Sequence, residues 1–176
     1  QAAHDALTGL ANRREFQARL ESGLQRARHE DRSHVLLFLD LDQFKVINDS
    51  AGHAAGDELL RRLSDDLKAQ IRKGDTLARL GGDEFGVLLE YCERDVGLEI
   101  AEKIRKTIRD FRFSWEGQDF TVGVSIGLVV VSQDTPSVTS ALSAADAACY
   151  SAKDLGRNHV RVYSADDTQL MRRQGD

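Results

Sequence analysis

The sequence predicts an α/β (α+β) domain with a ferredoxin-like β-α-β-β-α-β core, a mainly antiparallel central sheet covered by helices. Three observations carry that expectation. Two apolar runs, residues 75–80 and 85–89, flank a pair of glycines, a hairpin signal because glycine reaches the φ > 0 turn conformations that other residues resist. A continuous apolar run of strand length, residues 35–39, stands before this hairpin, and another follows it within residues 120–131. Stretches of helical period separate these runs in the order the core requires.

Taken in order, residues 12–29 place Phe16, Leu20, Leu24 and Ala27 at helical spacing, an extra helix in front of the core. The strand at 35–39 is closed by Asp40. Residues 42–49 read as a short helix stopped by Gly52. Residues 54–72 put Leu60, Leu63, Leu67 and Ile71 on one face, and Gly74 ends that helix before the hairpin. Residues 94–110 form a further helix with Ile100, Ile104 and Ile108 toward the core. Residues 111–115 and 120–131 read as a second hairpin around Glu116-Gly117-Gln118-Asp119. An Ala-rich helix at 138–153 and a last strand at 159–163 complete the domain, and the polar stretch 166–176 reads as a linker.

The chain has 176 residues, enough for one well-buried domain, with 41% apolar and 30% charged residues. No apolar run is long enough to span a bilayer, so the domain is expected to make no membrane contact. A net charge of −5 argues against a nucleic-acid polymer as partner but not against a nucleotide, which needs only a few local cations and a metal. Cys92 and Cys149 lack metal or redox spacing and read as buried thiols of a cytoplasmic domain, the full-length protein's own anchoring left open.

The chemistry concentrates at Leu80-Gly-Gly-Asp-Glu-Phe-Gly86. A turn without Cβ atoms at Gly81 and Gly82 leaves room for a bulky ligand, and Asp83 and Glu84 follow directly. If the first strand neighbours the hairpin, Asp40 faces both, giving three carboxylates in one place. Like charges so close call for a cation, and oxygen-only ligands point to Mg²⁺ or Mn²⁺. Lys45 and Asn48 share a helical face, and Asp57 follows on the next helix; an amide and a carboxylate together match a guanine edge. Lys153 and Arg157 are spaced i, i+4 at a helix end. Arg72 and Asp75 precede the hairpin, with Arg79 shortly after; an Arg fork grips phosphate or guanine. Singly, each of these has a plainer reading as a cap, a turn residue or a solvated surface group.

Together they resemble the GGDEF family of diguanylate cyclases. The resemblance rests on Asp5-Ala-Leu-Thr-Gly-Leu-Ala-Asn-Arg-Arg14, Phe38-Leu-Asp-Leu-Asp-Gln-Phe-Lys-Val-Ile-Asn-Asp49, Gly52-His-Ala-Ala-Gly-Asp57, the signature at 81–85, Ser125-Ile-Gly127 and Ala145-Asp-Ala-Ala-Cys-Tyr-Ser-Ala-Lys153. It implies a fold similar to nucleotidyl cyclase catalytic domains, and a reaction in which two GTP condense to cyclic di-GMP and two pyrophosphates, with two domains facing each other as a homodimer. It implies two Mg²⁺ or Mn²⁺ ions per half-site on Asp40, the Leu41 carbonyl, Glu84 and Asp83. Asp83 and Glu84 are the implied catalytic residues, Asp83 beside the attacking hydroxyl. Lys45, Lys153 and Arg157 are implied on the phosphates, Asn48 and Asp57 on guanine, and the Gly81–Gly82 backbone at the α-phosphate. Arg72 and Asp75, assisted by Arg79, match the family's inhibitory site for the product. The alternative is a catalytically weak GTP-binding module that controls an attached EAL phosphodiesterase domain. The resemblance also implies a cyclase domain over residues 1–165, with 166–176 leading to a further domain.

Overall fold

The computed structural model describes residues 2–175. Helix α1 (Arg13–Glu30) starts at Asn12, whose side chain accepts from the Glu15 amide, and buries Phe16, Leu20, Leu24 and Ala27 as the periodicity predicts. Next come β1 (His34–Asp42), α2 (Phe44–Ala51), α3 (His53–Lys68), β2 (Thr76–Gly81) and β3 (Glu84–Leu89). They are followed by α4 (Arg94–Asp110), β4 (Phe113–Trp115), β5 (Gln118–Phe120), β6 (Gly123–Val131), α5 (Val138–Asp154), β7 (Val160–Val162) and α6 (Ala165–Gly175).

The main sheet has the order β2-β3-β1-β6-β7. Its first four strands are antiparallel throughout, and β7 joins β6 in parallel. The ferredoxin-like expectation therefore holds, with one strand added at the edge. The central strand β1 is apolar without alternation because both of its faces are covered. Val35, Leu37, Leu39 and Leu41 belong to the cluster that includes Leu59, Leu60, Leu63, Leu67, Ile104 and Ile108 of α3 and α4. Leu36 and Phe38 belong to the opposite cluster, with Phe16, Leu20 and Leu24 of α1 and Ala145 and Cys149 of α5. Asp40 and Asp42 continue the parity of Leu36 and Phe38, so strand alternation directs them to the α5 side. Helix α5 lies very close to β6: a Cβ at Gly127 would sit 2.1 Å from the Ala145 carbonyl oxygen. Cys92 and Cys149 are both buried free thiols.

The structure departs from the sequence reading in four places. Strand β1 runs to Asp42, so Asp40 lies inside it rather than closing it. Helix α3 ends at Lys68, not 72; Gln70 and Ile71 form tighter i→i−3 bonds, and a turn closed by Asp75 N–H to the Arg72 carbonyl competes with further helix. The second hairpin is split: β4 and β5 form their own two-stranded sheet, and the chain changes sheets before β6. The apolar run 120–131 hides this break, since Phe120 and Val122 pack inward on either side of it. Finally, the polar stretch read as a linker is, over its described part, helix α6 packed on α5. Asp167 is only 1% exposed and accepts from Ser151 Oγ at 2.6 Å, Arg161 Nε at 3.0 Å and Ser164 N–H at 2.8 Å. Asp176 lies outside the described residues. Among the described residues no helix is long and apolar enough to cross a membrane.

Candidate active site

The ladder between β1 and β3 sets Asp40 directly opposite Glu84, and on its other side β6 sets Ser125 opposite Asp40. Directly opposed residues share a face, so the two carboxylates are neighbours by backbone register alone. Beside them the hairpin turns through Gly81 at φ 150° and Gly82 at φ 47°, after a register shift between Arg79 and Gly81. Both φ values favour glycine, and a Cβ built at either would meet nothing within 4 Å, so the turn borders open space.

Burial pushes the Asp40 carboxyl up to about 6; Lys153 opposes the rise, and the charges of Asp83 and Glu84 add to it. Glu84 is also raised, first by burial and then by Asp146 and Asp83. Asp83 is raised, again chiefly by burial. Burial alone would lower Lys153, but Asp40 and Asp42 outweigh it and hold the ammonium protonated. Its Nζ lies 3.5 Å from Asp40 Oδ1 and 3.3 Å from Asp42 Oδ1.

The three expected carboxylates do not close into a cage. Among the described residues no three His, Cys, Asp or Glu side chains converge as a preformed metal site. Asp83 lies in the turn just before Glu84, near enough that its charge raises both Asp40 and Glu84. What remains still suits a hard divalent ion, which takes one or two carboxylates and completes its shell with phosphate oxygens and water. The donors are all oxygen, and the glycine turn beside them borders open space. The Leu41 amide donates to the Asp83 carbonyl at 3.1 Å, and since N–H and C=O of one strand residue face the same neighbour, the Leu41 carbonyl faces the turn too.

Lys45 is exposed on α2, and Asp57 is exposed on α3. Asn48 is half-buried and occupies the space left by the missing side chain of Gly56, where a Cβ would lie 1.9 Å from its Oδ1. That oxygen is buried without a hydrogen-bond partner. Asn48 of α2 thus packs against α3 at the residue before Asp57. Arg157 is exposed, at φ 64°, in the turn that follows α5.

Arg72 and Asp75 are joined at the far end of β2. Arg72 donates from Nε and Nη2 to the two Asp75 oxygens at 2.7 and 3.1 Å, and from Nη2 to the Glu90 carbonyl at 3.0 Å. The Asp75 side chain is only 3% exposed and also accepts from the Glu90 amide. A depression of about 490 Å³ lies over them, lined by Arg72, Lys73, Gly74, Asp75, Glu90 and Tyr91. Arg79 does not join this group. It donates to Asp5 at 3.1 Å and to the Gly82 carbonyl at 3.0 Å, tying the N-terminal segment to the glycine turn. Strand geometry explains the correction: Arg79 lies three residues into β2, about 10 Å along it from its start.

Sequence reasoning missed several residues that shape the site. Asp42, Ser125 and Asn158 form a buried network around Lys153. Arg13 donates from Nε to the Leu80 carbonyl at 3.2 Å and reaches within 3.9 Å of Glu84. For Asp42 a signal existed, since it shares strand parity with Asp40. For Arg13 and Asp146 none did, because only tertiary packing brings α1 and α5 to the hairpin.

The family profile described as "Diguanylate cyclase, GGDEF domain" matches residues 2–159. The probable diguanylate cyclase DgcE of Escherichia coli K12 is 46% identical over 162 residues, which cover 92% of this chain and 15% of that protein. The chain thus spans a small part of the length of that relative. Among solved structures, the GGDEF domain of TpbB (YfiN) from Pseudomonas aeruginosa superimposes with a TM-score of 0.89 at 34% identity, covering 96% of this chain and 99% of that one. The GGDEF domain of DgcB from Caulobacter crescentus in complex with c-di-GMP gives a TM-score of 0.87 at 30% identity, covering 92% and 96%.

Proposed function

Because this chain belongs to the GGDEF family of diguanylate cyclase domains, we propose that it condenses two GTP into cyclic di-GMP and two pyrophosphates, at a site completed by a second copy of the domain. Members of the family use divalent metal ions; we assign two, of the Mg²⁺ or Mn²⁺ class, to Asp40, the Leu41 carbonyl, Glu84 and Asp83. When bound, such ions supply positive charge to the triphosphate and to the attacking oxygen.

The chain's own residues do the rest. Lys45, Lys153 and Arg157 grip the β- and γ-phosphates, and the glycine turn admits the α-phosphate against its backbone. Asn48 and Asp57 hold the guanine edge: the carboxylate accepts from N1–H and the exocyclic N2–H, and the amide donates to O6 or N7. Held this way, the α-phosphorus is presented to the 3′-OH of the GTP bound on the facing domain. The hydroxyl oxygen attacks, Asp83 stands beside it to receive or share its proton, and the bond to pyrophosphate breaks. A second, symmetric transfer closes the ring. Positioning and charge account for most of the acceleration in such transfers. Cyclic di-GMP then binds at Arg72 and Asp75 and holds domains in an unproductive arrangement.

The observation that carries this reading is the Asp40–Glu84 register beside an open two-glycine turn, with Lys153 against it. The test is incubation of the purified domain with GTP or ATP and Mg²⁺, with product identified by mass. Cyclic di-GMP from GTP, lost with chelator, is expected. GTP binding without any cyclic product would refute the assignment.

A further inference from the structure

Asp42 is a buried carboxylate to which the reaction above gives no part. It is 4% exposed, and every oxygen is committed inside the protein. Oδ1 accepts from Ser125 Oγ at 2.9 Å and from Lys153 Nζ at 3.3 Å; Oδ2 accepts from the Asn158 amide at 2.9 Å. One side chain thus joins the end of β1 to β6, to the last turn of α5 and to the loop beyond it.

That loop is unusual. Gly156, Arg157 and Asn158 stand in succession at φ 112°, 64° and 53°. A left-handed conformation is disfavoured for most residues with a Cβ, Asn and Asp excepted, so Arg157 at φ 64° next to Asn158 at φ 53° needs support from its surroundings. The Asn158 amide receives it from a carboxylate, a charge-assisted bond stronger than a neutral one. The loop's own bonds, Gly156 N–H to Lys153 and Arg157 N–H to Ala152, leave the Asn158 amide to Asp42, while the Asn158 carbonyl meets His159 Nδ1 at 2.9 Å. Gly123 makes room for this arrangement, since a Cβ there would lie 3.2 Å from Asp42 Oδ2.

We infer that Asp42 is a positioning residue for the triphosphate: it sets the Lys153 ammonium by direct contact and the Arg157 backbone through Asn158, without touching nucleotide. The inference rests on the reading that Lys153 and Arg157 hold the β- and γ-phosphates. Asp42→Asn is the informative change. The amide keeps one acceptor but loses the charge that anchors Lys153, and if its NH₂ faces the Asn158 amide, donor meets donor. A carboxylate that merely holds the fold together would weaken every ligand alike. One that places these two cations weakens the triphosphate selectively.

The experiment measures binding of a non-hydrolysable GTP analogue with Mg²⁺, and of GMP by competition, to the wild type, Asp42→Asn, Lys153→Ala and the milder Ser125→Ala. Urea denaturation checks that each is folded. Asp42→Asn and Lys153→Ala are both expected to lose tenfold or more in analogue affinity with GMP affinity kept within twofold, and Ser125→Ala to show the same pattern at a few-fold. If Lys153→Ala loses analogue affinity while Asp42→Asn, or Ser125→Ala where Asp42→Asn fails to fold, does not, the role of Asp42 is overturned and the phosphate reading stands. Equal losses for GMP and analogue in the Asp42 variant also overturn it. An unaffected Lys153→Ala overturns the phosphate reading itself, and the inference with it.

Discussion

Replacing Asp40 by Asn should stabilise the metal-free domain while destroying its activity. In the fold this carboxyl is raised from 3.8 to about 6, first by burial and then by Asp83 and Glu84 against the relief from Lys153. A carboxyl raised on folding binds its proton more tightly folded than unfolded. Stability is therefore greatest below the unfolded value near 4, falls as pH rises from 4 to 6, and levels off above 6. The gap of about two pH units corresponds to roughly 3 kcal/mol as a ceiling. Neighbouring carboxyls share the titration and Lys153 loses one of its two partners in the variant, so a gain of about 1–2 kcal/mol at pH 7.5 is expected. The assay is urea denaturation in chelator at pH 7.5 and pH 4.5, wild type against variant. The gain should be present at the higher pH and shrink at the lower. A variant less stable than wild type at pH 7.5, or a gap that does not change with pH, would refute the reasoning. With Mg²⁺ and GTP, the same variant should lose on the order of a hundredfold or more in turnover.

Three further outcomes follow from the geometry. Gly56→Ala should displace the Asn48 side chain, whose Oδ1 lies where the new methyl must go, and lower the preference for GTP over ATP about tenfold. Added to Asn48→Ala it should do nothing more, and a further loss in that double variant would argue against the contact. Asp57→Ala should erode the same preference by a factor worth roughly 1–3 kcal/mol, measured as the ratio of kcat/KM for the two nucleotides. Arg72→Ala should shift inhibition by added cyclic di-GMP to at least tenfold higher concentration, each curve normalised to its own uninhibited rate. Superimposable curves would remove Arg72 from the product site.

Most of the sheet was legible because its strands are short apolar runs, two of them joined by a glycine pair, and most helices because their buried faces recur at helical spacing. The Asp40–Glu84 opposition was also legible, since a β-α-β-β unit makes those strands neighbours. What escaped was decided by contacts between distant segments. Helix α3 stops early because of the Arg72–Asp75 turn, which no propensity reports. The run 120–131 changes sheets just before Gly123, a lone glycine that the apolar residues around it mask. The tail after Ser164 looked too polar to pack, yet it docks through a buried Asp167 that pairs with Ser151 and Arg161. Arg79 lies close in sequence to Arg72 and Asp75 but meets Asp5, 74 residues away. Burial of polar groups through hydrogen bonds is the common thread, and periodicity in apolar residues cannot see it.

We propose that one catalytic site is shared by two domains, each holding one GTP. The most direct test of this is the specific activity of the purified domain across nanomolar to high micromolar protein, at saturating GTP and Mg²⁺. Activity per domain should climb with concentration and level off as pairs saturate, with two pyrophosphates released for each cyclic di-GMP. Turnover strictly proportional to protein over the whole range, at a mass that remains monomeric, would contradict it.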